Sequence, residues 1–379
     1  QLTGFNSTAA KADVGVILDL DTTFGKMCRT CISMAVEEFY ANRDHTTMIV
    51  PHFRDSKSDV IAAAYAAIDL LKNTQVMAIF GPQNSNQADV VINIGDRVKV
   101  PIISPAMSPS ISPQDSPYFI RSAWPSFSQS KAIAAIVEKY NWSKVVFVYE
   151  DSGFGRGLVP FLDEDMLESN AHVSYQTAIS PTATGDQIGR ELDKLMKMQT
   201  RVFVVDMLPD LASRFFKLAK EAGMMEKGYA WIVSDPLASL PDLMDSKTVE
   251  AMQGVLGVKA LVRESEEVTN FTKRYNKRFR DDNPKMEVVV KPNIFGLWAY
   301  DSMTSIADAI ERGDVTSPRF NRSVDGGNTT DLEAIGTSNA GSLLIGLMKN
   351  YALKGLSGDF NISNGQLQPS AFEVVNVHG

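Results

Sequence analysis

The chain has 379 residues, 44% of them hydrophobic and 22% charged. That is ordinary for a soluble globular protein and long enough for two cores rather than one. A formal net charge of -8 repels phosphate backbones and argues against a nucleic-acid partner, and with no run of eighteen or more apolar residues no membrane-spanning helix is expected.

The chain opens Gln1-Leu2-Thr3-Gly4, without an initiator Met or an apolar leader, and reads as an excised part of a longer protein. Short β-branched and aromatic runs predict buried parallel strands over 14–20, 76–80, 100–104, 145–149, 202–206 and 230–234. Helical stripes fall between them. The first joins Met27, Cys31, Met34 or Ala35, and Phe39; the second joins Ile61, Ala64, Ile68 and Leu71. A third takes Ile133, Ile136, Val137 and Tyr140, and a fourth takes Leu192, Leu195 and Met196. Strand–helix alternation predicts parallel sheets with helices on both faces. Helices are also expected over 271–279 and 295–310, a long polar loop over 313–338, and strand-like alternation from Asp359 to Val377.

Each predicted strand ends in small, polar or turn-forming residues, as in Gly81-Pro82-Gln83-Asn84-Ser85 and Asp206-Met207-Leu208-Pro209-Asp210. Open parallel sheets bind ligands at such carboxyl ends. Ordinary capped loops are the alternative reading. Ser85 lies at or near a helix N-terminus, where free N–H groups suit a ligand carboxylate. Ala106 is small enough to admit a ligand to the backbone, and Ser108 closes the same loop.

Other patterns point away from catalysis. Cys28-Arg29-Thr30-Cys31 has redox spacing, but Cys31 sits on the apolar stripe, so buried structural thiols compete with a disulfide, a redox pair or a metal. Gly153-Phe154-Gly155-Arg156-Gly157 lacks dinucleotide spacing, and Glu150 and Asp151 before it would repel a pyrophosphate. His45, His52, His172 and His378 are scattered. No enzyme activity, cofactor or metal is expected. Asn-x-Ser/Thr sequons stand at Asn6, Asn141, Asn270, Asn321, Asn328 and Asn361. Chance supplies roughly two to three, so an extracellular glycoprotein is expected. Two cysteines are few, yet a chain this large folds without disulfides.

Several stretches resemble a known family. Gly81-Pro82-Gln83-Asn84-Ser85, Val100-Pro101-Ile102-Ile103-Ser104, Tyr118-Phe119-Ile120-Arg121 and Tyr140-Asn141-Trp142 resemble periplasmic amino-acid-binding proteins and receptor ectodomains. Asp21-Thr22-Thr23-Phe24-Gly25-Lys26, Gln199-Thr200-Arg201-Val202-Phe203, Gly254-Val255-Leu256-Gly257-Val258 and Phe295-Gly296-Leu297-Trp298-Ala299-Tyr300-Asp301-Ser302 resemble plant glutamate receptor-like channels. The resemblance implies an α/β periplasmic-binding-protein-like clamshell. Each lobe is a mostly parallel sheet flanked by helices, with three interlobe crossovers. Lobe 1 is expected over 1–122 plus 259–354, and lobe 2 over 123–258 plus 355–379.

It further implies an amino-terminal extracellular domain of a membrane-embedded ligand-gated cation channel, homo- or hetero-oligomeric as a dimer of dimers, pairing through helices near 26–42 and 58–73. The function implied is binding or sensing of a small amino-acid-type ligand in the interlobe cleft; the alternative is a pure assembly module. In amino-acid-binding relatives, positions matching Ser85, Ala106 and Ser108 hold the ligand's carboxylate and amine, and Phe154 matches an aromatic lid. The acids that meet the amine are not matched cleanly: Phe127 and Ala238 or Ser239 fall there. Asp235 or Asp151 is expected to substitute, since a desolvated ammonium needs a counter-charge.

Overall fold

A strand covered on both faces needs apolar side chains in both directions. The run Val14, Val16, Ile17, Leu18 meets that need, and all four are fully buried in β1 (Ala10–Leu18). The computed structural model describes residues 9–41, 45–239, 244–315, 320–321 and 331–377, so Asn6, Asn328 and His378 lie outside the described residues. The chain divides into two units: 1–107, 111–124 and 262–368 in the first, and 108–110, 125–261 and 369–379 in the second.

Unit 1 begins with β1, β2 (Thr47–Asp55), β3 (Ile79–Phe80), β4 (Ile102–Ser104) and β5 (Phe119–Arg121), all parallel, in the order β2-β1-β3-β4-β5. Unit 2 repeats that order. Its strands are β6 (Lys144–Glu150), β7 (His172–Ile179), β8 (Val202–Asp206), β9 (Ala230–Val233) and β10 (Leu256–Ala260), in the order β7-β6-β8-β9-β10, again parallel. The chain then returns to unit 1, where β11 (Phe320–Asn321) pairs with β12 (Thr337–Ser338). There β13 (Tyr351–Gly355), β14 (Gly358–Ser363) and β15 (Gln366–Leu367) extend the large sheet beyond β5. Finally β16 (Phe372–Asn376) lies antiparallel to β10 in unit 2.

The expected last boundary near Gly355 is therefore misplaced. Gly355 pairs with Gly358 inside the β13–β14 hairpin, and the division falls after Gln368. The turn is held by buried Asp301, whose carboxylate accepts from Leu356 N at 2.9 Å and Ser357 N at 2.8 Å. The expected loop over 313–338 contains the β11–β12 pair and a helix at Asp331–Ile335, with 316–319 and 322–330 outside the described residues.

Of the helices, Thr23–Tyr40 starts where Thr22 accepts from Gly25 N at 3.0 Å. Its buried face is Met27, Cys28, Cys31, Ile32, Met34 and Ala35, and it packs on the helix Ile294–Gly313. Gly296 permits that approach, since a Cβ there would lie 3.2 Å from Cys31 Sγ. The second helix, Val60–Asp69, corrects the expected stripe. Ala63, Ala66 and Ala67 face the core, while Ile61 is 78% exposed. Tyr140 and Met196 also lie outside the core, at 55% and 37% exposure.

Candidate functional site

In an open parallel sheet of this order, chain connections leave the strands adjoining the first in opposite directions. That switch point opens a crevice beyond the carboxyl ends. Here the switch lies between β1 and β3 in unit 1, and between β6 and β8 in unit 2.

In unit 1 the helix Ser85–Val98 follows β3. Its cap is Asn84, whose side chain accepts from Asn86 N at 2.9 Å and Gln87 N at 3.4 Å. Ser85 is thus the first helical residue, half-buried. After β4, Ser104 Oγ donates to Pro82 O at 2.5 Å and accepts from Ala106 N at 3.1 Å. This ties the β3 and β4 loops together and brings Ser85 and Ala106 to one end of the sheet. It also turns the Ala106 amide inward, and the Ala106 methyl packs in the unit's core.

The remaining predicted residues fall in unit 2. Ser108 is fully buried; its hydroxyl donates to Gly153 O at 2.8 Å and accepts from Ser110 N at 3.2 Å. The glycine-rich run forms the short helix Gly153–Arg156, capped by Ser152, with Phe154 buried. Pro109 lies beside it, because a Cβ on Gly157 would come 2.3 Å from Pro109 Cδ. Ser108 and the Phe154 turn are thereby brought together. Asp151 is exposed enough to pair with Arg156, Nη2 to Oδ1 at 2.6 Å, so its charge is already met. Asp235 is buried at the start of the helix Asp235–Ser239. Its N–H donates to Gln129 Oε1 at 2.6 Å, and its carboxylate accepts from the Ser239 hydroxyl. Burial pushes its carboxyl up to about 6.

Sequence reasoning passed over a second acid. Asp206 ends β8 and is fully buried, and its Oδ1 accepts from Ser234 Oγ at 2.6 Å. Burial, with the neighbouring charge of Glu150 adding to it, pushes Asp206 up to about 7. Glu150 ends β6, is also buried, and accepts from Leu208 N at 3.1 Å. The signal was an acid closing each of two strands with apolar interiors, KVVFVYE and VFVVD.

Cys28 and Cys31 are unbridged and buried, and burial raises both thiols, which removes the thiolate that redox chemistry needs. Among the described residues no group of three or more His, Cys, Asp or Glu is arranged to hold a metal, and no helix is long and apolar enough to cross a membrane. Asn141, Asn270, Asn321 and Asn361 are all exposed.

This geometry agrees with the family relationship. The sequence profile described as "Receptor family ligand binding region" matches residues 27–379, and the chain belongs to that family. It is 43% identical over 380 residues to Glutamate receptor 2.7 of Arabidopsis thaliana and 42% identical over 377 residues to Glutamate receptor 2.3 of the same plant. Those alignments cover 99% of this chain but only 39% and 41% of the relatives, so the chain spans about two fifths of their length.

Among solved structures it is similar to the leucine-binding protein LivK of Thermotoga maritima, with TM-score 0.75 and 21% identity over 97% of this chain and 95% of that one. It is likewise similar to a solute-binding protein of Rhodopseudomonas palustris HaA2 in complex with p-hydroxybenzoic acid, with TM-score 0.78, 16% identity and coverage of 97% and 93%. The fold is therefore that of the periplasmic binding proteins, two sheets of mostly parallel strands flanked by helices. The relatives named are receptors and binding proteins rather than enzymes.

Proposed function

We propose that this chain is the extracellular amino-terminal domain of a glutamate receptor-like ligand-gated cation channel, and that it binds a small amino-acid-type ligand at the carboxyl ends of its parallel strands. The observation that carries this reading is the receptor ligand-binding-region match over residues 27–379, joined to 99% coverage by plant glutamate receptors. Ser85, Ala106, Ser108, Phe154 and Asp235 all stand at or just beyond strand ends, where this class of sheet takes ligands. Exposure of Asn141, Asn270, Asn321 and Asn361 supports glycosylation there.

A contribution to subunit assembly rests on a separate observation. Helix Val60–Asp69 is apolar on two faces, and Ile61 and Tyr65 are 78% and 72% exposed beside half-buried Ala64 and Ile68. Exposed apolar stripes of this kind mark association surfaces.

The reading is tested by thermal melting of the 379-residue chain against free amino acids and small peptides in large excess. A ligand at about a hundred times its Kd adds about 2.7 kcal/mol to the bound state, which raises Tm by about 2 °C or more. A selective rise supports ligand binding. No rise across the panel removes it and leaves assembly as the function.

A further inference from the structure

The sites so far named leave one chemical requirement of an amino-acid ligand unmet. Its ammonium group, taken out of water, needs an acidic partner. Asp151 is committed to Arg156. The acids at the unit 2 switch point are not so committed.

Asp206 and Glu150 close the two adjacent strands β8 and β6, and Asp206 lies opposite Tyr149 in their register. Both acids therefore end their strands at the point where the strand order reverses, the place at which doubly wound sheets bind ligands, with Glu150 one residue past the position opposite Asp206. Both are buried, and no cation is paired with either among the described residues. Asp206 Oδ1 is occupied by Ser234, but Asp206 Oδ2 is buried and has no hydrogen-bond partner. One further orphan atom lies along the same chain of contacts. Ser234 precedes Asp235, whose carboxylate is met by Ser239 and the Ala260 amide, and the Asp235 amide leads to Gln129, whose Nε2 is unpartnered. Leaving a buried acceptor unsatisfied is costly, and more so for a charged one. An unmatched acceptor on Asp206 and an unmatched donor on Gln129, on one linked set of side chains at one end of one sheet, are what a polar ligand group would complete.

We infer that Asp206, with Glu150 at the end of the adjacent strand, receives a primary ammonium group of the ligand in unit 2, and that Gln129 Nε2 donates to an oxygen of the same ligand. This rests on the amino-acid reading above and makes it specific: the amine, not only the carboxylate, is recognised. Ser108 and Phe154 then serve the remainder of the ligand from the neighbouring turn.

The experiment is isothermal titration of the 379-residue chain, wild type and Asp206→Asn. The probes are an amino acid that raises Tm and the corresponding carboxylic acid lacking the amine. Removing one partner of a buried charge pair is expected to weaken the amino acid at least about thirty-fold. It should leave the deaminated acid within about threefold, because the amide keeps the volume and only the charge is lost. Circular dichroism and Tm of the variant establish that it folds. Wild-type affinity for the amino acid in Asp206→Asn overturns this inference and leaves amino-acid binding intact. Wild-type chain that binds no amine-bearing probe overturns the inference together with the reading beneath it. Equal weakening of both probes also overturns it, because the carboxylate would then be supporting the loop and not meeting an amine.

Discussion

A carboxyl group fully buried with one oxygen unmatched is a destabilising choice for a folded chain. Asp206 makes that choice, and the cost has a pH signature. Its folded value is raised to about 7 from an ordinary 3.8, chiefly by burial and further by Glu150. A raised value means the folded state holds its proton more tightly than the unfolded state. The contribution to stability is complete below about 3.8 and is lost as pH rises through about 7. Asp235 and Asp301, each raised to about 6 by burial, act with the same sign over a lower range. Carboxylates held low by hydrogen bonds, such as Asp69 and Glu311, change only at more acid pH. Tm should therefore fall between about pH 4 and pH 7. Asp206→Asn should flatten part of that fall and melt above the wild type at pH 8. A variant whose Tm tracks the wild type across that range would contradict the assignment. The sequence shows an acid ending an apolar strand; it does not show whether a cation waits opposite. That is why Asp206 escapes a reading by motif, while Asp235 enters only as a substitute for the acids that meet the amine in the relatives.

At the scale of elements, the helix Val60–Asp69 explains why periodicity misled. With Ala, Ile, Val and Tyr around its circumference, more than one stripe satisfies helical spacing. The sheet selects the small side chains Ala63, Ala66 and Ala67 because a helix lying close on a strand layer has no room for more. The larger Ile61 and Tyr65, four residues apart on one face, turn outward. A paired Ile61→Arg, Tyr65→Glu variant should keep its Tm, since exposed substitutions alter stability by about 0.5 kcal/mol or less. In sedimentation it should lose the dimer expected of the wild type at micromolar concentration. A wild type that stays monomeric at the highest attainable concentration would count against this face as an assembly surface. Strand β2 was missed for a different reason. It holds Pro51 and several polar residues because it is an edge strand, where a missing N–H costs no ladder bond. Strand β5, three residues long, lies outside any longer apolar run, with Ser116 and Pro117 before it and Arg121 and Ser122 at its end.

Over the whole chain, the α/β class and most central strands were legible, because buried parallel strands are written as uninterrupted apolar runs. The repeated order β2-β1-β3-β4-β5 and β7-β6-β8-β9-β10 was not legible, since order depends on which edges pair and not on composition. That repetition is what gives each unit its own switch point. It places Ser85 and Ala106 beyond one sheet, and Ser108, Phe154, Asp206 and Asp235 beyond the other. The assignment of β13–β15 to unit 1 was likewise hidden. It depends on long-range pairing with β5 and on the grip of Asp301 upon the Leu356–Ser357 turn.

The most direct test of the central claim is equilibrium dialysis of the 379-residue chain against a mixture of the twenty common amino acids, with the retained compounds identified and counted by mass spectrometry. The account predicts selective retention of one or a few amino acids, approaching one per chain at saturation. Recovery of every amino acid at equal concentration on both sides of the membrane, up to millimolar levels, would contradict it.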